Sequence, residues 1–213
     1  MPMTLPYSTI LFDLDGTLTD PKEGITKSIQ YAVSKMGIVE NDLEKLTTFI
    51  GPPLLPSFME IYNFTEEEAN QTLQFYRERF SITGLFENEV YEGIEELLKN
   101  LKQLNYRIAV ATSKPTVFAK RILDHFKLSP YFEVIVGSEL DGTRTAKGEV
   151  IAEVLNQMNI EDKVHCVMIG DRMHDLIGAR ENDIDSIGVT YGYGSKQELE
   201  EANATYIVHS VSS

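Results

Sequence analysis

Two patterns of apolar residues alternate along this chain. Short uninterrupted apolar runs predict buried strands, and apolar positions recurring every three or four residues predict helices. Thr9-Ile10-Leu11-Phe12 is a run of the first kind. It stops at Asp13-Leu14-Asp15-Gly16-Thr17, which predicts a strand opening into a polar loop. From about residue 22 to residue 85 the helical pattern takes over. Helices are predicted near Ile25–Met36 and Asp42–Ile50, and Gly51-Pro52-Pro53 must break whatever precedes it. Thr65-Glu66-Glu67-Glu68 has the spacing of a capping box, and Ala69, Leu73, Tyr76 and Phe80 then follow on one helical face.

Beyond residue 87 the two patterns take turns. Helices are predicted around Ile94–Leu104, Pro115–Phe126, Val150–Met158, Asp175–Glu181 and Lys196–Glu201. Strands are predicted at Arg107–Ala111, Val134–Val136, Val164–Ile169, Asp185–Val189 and Tyr206–Val208. Such alternation implies an α/β fold, a parallel sheet covered on both faces. The helical block is then an insertion just after the first strand, beside the strand ends where such folds bind ligands.

Composition narrows the classes. With 213 residues, 42% hydrophobic and 24% charged, the chain can bury a substantial core. No run of about 18 uncharged apolar residues predicts a membrane span. Met1 to Tyr7 lack the pattern of a secretory leader, and the single cysteine, Cys166, excludes an internal disulfide. A reducing cytoplasm is therefore expected. The 33 acidic against 19 basic residues, a net charge of −14, disfavour nucleic acid and anionic membranes as partners. Small anions remain open, because they need only a local cation or metal.

The candidate chemistry collects at predicted strand ends. Asp13 and Asp15 end the first strand, and Asp171 and Asp175 follow Val164–Ile169. Two carboxylate pairs in one crevice repel unless a cation joins them, and oxygen ligands of this kind suit Mg²⁺. Thr112 and Ser113 precede Pro115–Phe126, where hydroxyls and free N–H groups at a helix start would hold an anion. Lys147 falls in the first turn of another helix, where the dipole disfavours it unless an anion stands in front. His174 is expected to face solvent, and Cys166 to be a buried, inert thiol.

Asp13-Leu14-Asp15-Gly16-Thr17-Leu18-Thr19-Asp20 resembles the first motif of the haloacid dehalogenase-like hydrolase superfamily. Thr112, Lys147 and Gly170-Asp171…Asp175 are similar to its second, third and fourth motifs, in order. Phe49-Ile50-Gly51-Pro52-Pro53-Leu54 and Tyr191-Gly192-Tyr193-Gly194 resemble segments of its phosphoglycolate phosphatase-like branch. Relatives usually carry a further helix beyond Tyr206-Ile207-Val208, so an uncovered sheet edge or apolar patch is expected there.

The resemblance implies a Rossmann-like, doubly wound parallel sheet formed by residues 1–20 and 87–213, with a helical cap at 21–86. It implies a phosphatase in which Asp13 is the nucleophile and Asp15 the acid and base. Mg²⁺ would be held by Asp13, Asp171 and the Asp15 main-chain carbonyl, with Asp175 supporting it or Lys147. Thr112, Lys147, Ser113 and backbone amides near Leu14 would bind the phosphoryl oxygens. The expected partner is a small phosphorylated metabolite, and the expected assembly a monomer or weak homodimer. Phosphoglycolate is the branch-level expectation. A nucleoside monophosphate, a sugar phosphate, phosphomutase action and a non-catalytic binding module are the alternatives. Lys22, Lys27, Arg77 and Arg79, in the cap, are candidates for holding a second anion on the substrate.

Overall fold

The chain forms a six-stranded sheet in the order β5-β4-β1-β6-β7-β8, every neighbouring pair parallel. The strands are β1 (Thr9–Phe12), β4 (Arg107–Pro115), β5 (Val134–Ser138), β6 (Cys166–Gly170), β7 (Asp185–Val189) and β8 (Tyr206–Val208). This computed structural model describes residues 7–212. Residues 1–6, where no leader is expected, and the final serine lie outside that range. No helix among the described residues is long and apolar enough to cross a membrane.

Alternation along the strands explains the two-sided cover. Ile10 and Phe12 of β1 and Ile108 and Val110 of β4 pack on one face with Phe118 and Ile122 of α5 (Thr116–His125). Leu11, Ala109 and Ala111 point the other way, onto Val150, Ile151 and Val154 of α6 (Lys147–Gln157). Helix α4 (Ile94–Gln103) joins the first face through Ile94 and Leu98, and α7 (Met173–Glu181) the second through Ala179. Beside β7, α8 (Lys196–Glu201) closes a small cluster of Leu176, Leu199 and Ala202.

A short antiparallel pair, β2 (Thr19–Asp20) with β3 (Glu89–Val90), marks where the helical segment leaves and rejoins. Between them lie α1 (Lys22–Lys35), α2 (Leu54–Tyr62) and α3 (Glu66–Arg79), and α3 runs into a wider π-type turn at Phe80–Gly84. The expected capping box starts α3: Thr65 N donates to Glu68 Oε2 at 2.8 Å, and Glu68 N to Thr65 Oγ1 at 3.3 Å.

Three local expectations need correction. Asp42–Ile50 is not a full helix but a 3₁₀ turn at Lys45–Phe49. Asp42 Oδ1 accepts from Glu44 N at 3.1 Å, so a side chain competes for the backbone where the helix would begin. Val164 lies outside β6 and is exposed, because Asp162 Oδ1 takes its N–H at 3.1 Å. The strand expected to stop at Ala111 continues to Pro115, pairing Pro115 with Ser138 of β5 across a register shift. Thr112 and Ser113 thus belong to a strand irregularity, and α5 starts only at Thr116.

Candidate active site

The central strand sets the site. With β4 on one side and β6 on the other, the carboxyl end of β1 is flanked by two more strand ends. Asp13 N donates to Ile169 O at 2.9 Å, so the sheet still holds the main chain where Asp13 projects. Lys147, the first residue of α6, reaches under this edge. Its Nζ lies 2.8 Å from Asp13 Oδ1 and 2.7 Å from Asp175 Oδ1, and donates to Ala111 O at 3.1 Å. Two carboxylates offset the unfavourable place at a helix start. Burial by itself pushes the Lys147 ammonium down, but Asp13 and Asp175 outweigh it and hold it above its usual value.

Asp171 has no such cation. It is fully buried; Oδ2 accepts from Tyr193 N at 2.7 Å and Oδ1 has no donor. Burial, then the charges of Asp175 and Asp13, raise its carboxyl well above the ordinary range. Asp175, whose Oδ2 accepts from Arg172 N at 3.1 Å, is also raised by burial, against the pull of Lys147. Oxygens of Asp13, Asp171 and Asp175 lie within 4.8 Å of one another. Three buried acids, with one oxygen, Asp171 Oδ1, that has neither a hydrogen-bond donor nor an ion pair, and a single lysine between the other two fit a hard divalent cation.

The glycines make this packing feasible. Gly16 has φ +82°, and a Cβ there would sit 2.2 Å from Asp171 Oδ2. A Cβ on Gly192 would stand 2.3 Å from Gly16 O. The Tyr191–Gly194 segment therefore lies directly on the site: Tyr193 holds Asp171 through its N–H and Asp20 through its hydroxyl, and Tyr191 Oη donates to Thr17 O at 3.0 Å.

Asp15 turns elsewhere. Its Oδ2 lies 2.8 Å from Lys114 Nζ, and both side chains are buried. Burial raises the Asp15 carboxyl, and Lys114 pulls it back. The side chain of Asp15 stands outside the three-acid cluster, so a main-chain carbonyl is the only ligand atom it is expected to offer. Lys114 was not among the candidates from sequence, although it follows Thr112 and Ser113 on the same strand end. Its Nζ also lies 4.4 Å from the centroid of the Phe80 ring, which ties the site to the helical segment. Thr112 is buried and accepts from Lys114 N at 3.2 Å; Ser113 is half-buried and its carbonyl accepts from Ser138 Oγ at 2.8 Å. Leu14 is buried, and its carbonyl accepts from Leu18 N at 2.9 Å, fixing the turn of the first motif. His174 is half-buried rather than solvent-facing and belongs to no ligand cluster, and Cys166 is buried as expected.

Above Asp15 a cavity of about 520 Å³ opens between the strand ends and the helical segment. Phe49, Tyr76, Phe80 and Phe118 line it, along with Ser113, Lys114 and Arg77. The Phe49–Leu54 segment is docked on the fourth motif: Arg172 Nη1 donates to Ile50 O at 2.6 Å while its Nε donates to Glu198 at 2.9 Å. Both segments that resembled one branch thus have a positional role.

Known proteins share this layout. Residues 10–189 match the haloacid dehalogenase-like hydrolase family. A 5'-nucleotidase of Pseudomonas aeruginosa is 54% identical over 95% of this chain and 91% of its own. A phosphoglycolate phosphatase of Colwellia psychrerythraea is 25% identical over 90% of this chain and 88% of its own. The crystal structure of a predicted phosphatase from Clostridium acetobutylicum superposes with a TM-score of 0.94 at 54% identity, covering 97% of this chain and 95% of that one. The family match runs from β1 to β7 and takes in all four motifs, so this chain belongs to the haloacid dehalogenase-like hydrolase family and is one of its phosphatases.

Proposed function

We propose that the protein is a magnesium-dependent phosphatase that hydrolyses nucleoside 5'-monophosphates through an aspartyl-phosphate on Asp13, with residues 21–86 acting as a cap over the leaving group. The observation that carries this reading is the position of Asp13. It is pinned by the sheet, faces Lys147, and shares a buried three-acid cluster, while Asp15 two residues on opens toward the cavity. Phosphatases of this family generally use Mg²⁺. Here Asp13, Asp171 and the Asp15 main-chain carbonyl would hold the ion, with Asp175 behind them. The bound ion supplies positive charge that lets a carboxylate approach a phosphate dianion.

The protein groups then have separate tasks. Lys147, Thr112, Ser113 and the amides near Leu14 receive the phosphoryl oxygens. An Asp13 oxygen forms a bond to phosphorus as the bond to the leaving oxygen breaks, and Asp15 gives that oxygen its proton. Asp15 next takes a proton from water as the water oxygen attacks phosphorus, releasing phosphate and restoring Asp13.

Phosphoglycolate was the first expectation, but a nucleotide suits this site better. The most similar relatives include a 5'-nucleotidase, while the phosphoglycolate phosphatase is more distant. A two-carbon acid also leaves most of an aromatic-lined cavity of about 520 Å³ empty. The test is a series of phosphate monoesters compared by kcat/KM with and without metal, joined to rapid quenching and peptide mass spectrometry. Nucleoside 5'-monophosphates are expected to lead and the label to map to Asp13. It should be absent in Asp13→Asn and persist longer in Asp15→Asn. A preference for phosphoglycolate refutes the substrate reading, and full activity in excess EDTA, or a label on a histidine, refutes the mechanism.

A further inference from the structure

Of the six cations in residues 21–86, four are candidates for a second anion on the substrate. Three are already engaged. Lys22 pairs with Glu44 at 2.5 Å, Lys27 with Glu23 at 2.5 Å, and Arg79 with Glu87 at 2.7 Å and with Ser28 Oγ at 3.1 Å. Arg77 is different. It is half-buried and lines the cavity, and although its main-chain carbonyl accepts from Phe80 N, its side chain forms no hydrogen bond or ion pair among the described residues. The acids on the opposite wall do not compensate it. Glu139 is paired with Arg144, and Asp141 Oδ1 accepts from Thr143 N at 2.9 Å. A guanidinium that loses part of its hydration without gaining an acceptor costs free energy, and burial does push Arg77 below its usual value. Such a group is expected where a ligand supplies the missing acceptor.

The surroundings indicate the kind of acceptor. Asn70, Leu73, Arg77 and Phe80 recur along one face of α3 and into its final turn, and all line the cavity. Asn70 and Phe80 are ten residues apart, so at 1.5 Å per residue the lined stretch runs about 15 Å. A two-carbon acid held by its phosphate at Asp13 cannot span that length. A nucleoside can, with its flat base laid against the cavity side of the mutually packed Tyr76, Phe80 and Phe118 rings and its edge toward Arg77. Arginine has donors only. It therefore matches bases whose edge carries a carbonyl oxygen, and offers nothing to an exocyclic amino group.

We propose that Arg77 is a specificity residue that donates to the carbonyl edge of a nucleobase in the leaving group. This rests on the nucleotidase reading and goes beyond it by naming the residue and the edge. The test compares wild type, Arg77→Met and Arg77→Lys on guanosine, inosine, uridine and adenosine 5'-monophosphates and phosphoglycolate, with ribose 5-phosphate and p-nitrophenyl phosphate as base-free controls. Wild type should favour the carbonyl-bearing nucleotides. Arg77→Met should lose about 10- to 100-fold in kcat/KM on them, the scale of one charged or bidentate hydrogen-bond set. Ribose 5-phosphate and p-nitrophenyl phosphate should change little, which also reports that the variant is folded. Arg77→Lys should fall between, because it keeps the charge and loses the fork. Equal loss on every substrate, or no loss on nucleotides, overturns the proposal. If wild type is indifferent to the base but prefers phosphoglycolate, the nucleotidase reading fails first. If it prefers nucleotides and Arg77→Met keeps that preference, only the role of Arg77 fails.

Discussion

Asp171→Asn should stabilise the metal-free protein while destroying its activity. In the folded chain Asp171 is fully buried, one of its oxygens has no donor, and two other acids stand within the same cluster. Asparagine keeps an oxygen for Tyr193 N and removes the uncompensated charge. Relief of one buried, unsatisfied polar group amounts to about 1–3 kcal/mol, more where it is charged. For a chain of this size that is roughly 2–4 °C of melting temperature per kcal/mol, hence a gain on the order of 2–12 °C. The pH dependence has a definite sign. The folded-state carboxyl is raised, so wild type is stabilised where Asp171 carries its proton and loses that stability as pH rises. The advantage of the variant should therefore be present at pH 8 and vanish toward pH 4, the ordinary aspartate range. Differential scanning calorimetry in EDTA at several pH values reads this. Adding Mg²⁺ at about 100 times its Kd should stabilise wild type by about 2.7 kcal/mol and the variant much less. A lower melting temperature for metal-free Asp171→Asn at pH 8 would refute the account, because it would mean the charge is already compensated.

Two further perturbations probe the same cluster. Lys147→Met leaves Asp13 and Asp175 without their shared cation; breaking such a buried pair costs about 3–5 kcal/mol, so calorimetry should show a large drop at pH 8 in EDTA, with turnover lost. An unchanged melting temperature would count against the pairing. Gly16→Ala adds a Cβ 2.2 Å from Asp171 Oδ2, whereas Gly37→Ala, at φ +80°, meets nothing within 4 Å. The first should lose at least about 10-fold in kcat and bind Mg²⁺ more weakly, while the second costs only about 1–2 kcal/mol of backbone strain and keeps its activity. Equal activities in the two variants would show that close packing against Asp171 is unimportant.

Much of the site is legible in the sequence because its parts lie at strand ends, where an apolar run stops at a polar residue. Asp13, Asp171 and Asp175 and the lysine at the start of α6 follow from that local rule, and the structure brings them together. Asp42–Ile50 failed for an equally local reason, a side chain capturing a backbone N–H. The setting of Thr112 and Ser113 failed for a distant one. Their strand continues because Ser138 of β5 is there to pair with Pro115, and nothing near Thr112 announces that partner.

What the amino-acid order determined by itself was the alternation of strands and helices, the insertion after β1, and the identity of the acids that meet. These follow from periodicity and from the fixed reach of residues close in sequence. Tertiary structure alone decided how the charges pair. It placed Lys114 on Asp15, left Asp171 without a cation, satisfied Lys22, Lys27 and Arg79, and left Arg77 facing an aromatic cavity. Charges act through space and desolvation depends on everything packed around a group, so residues far apart in the chain settle which ones remain open to a ligand.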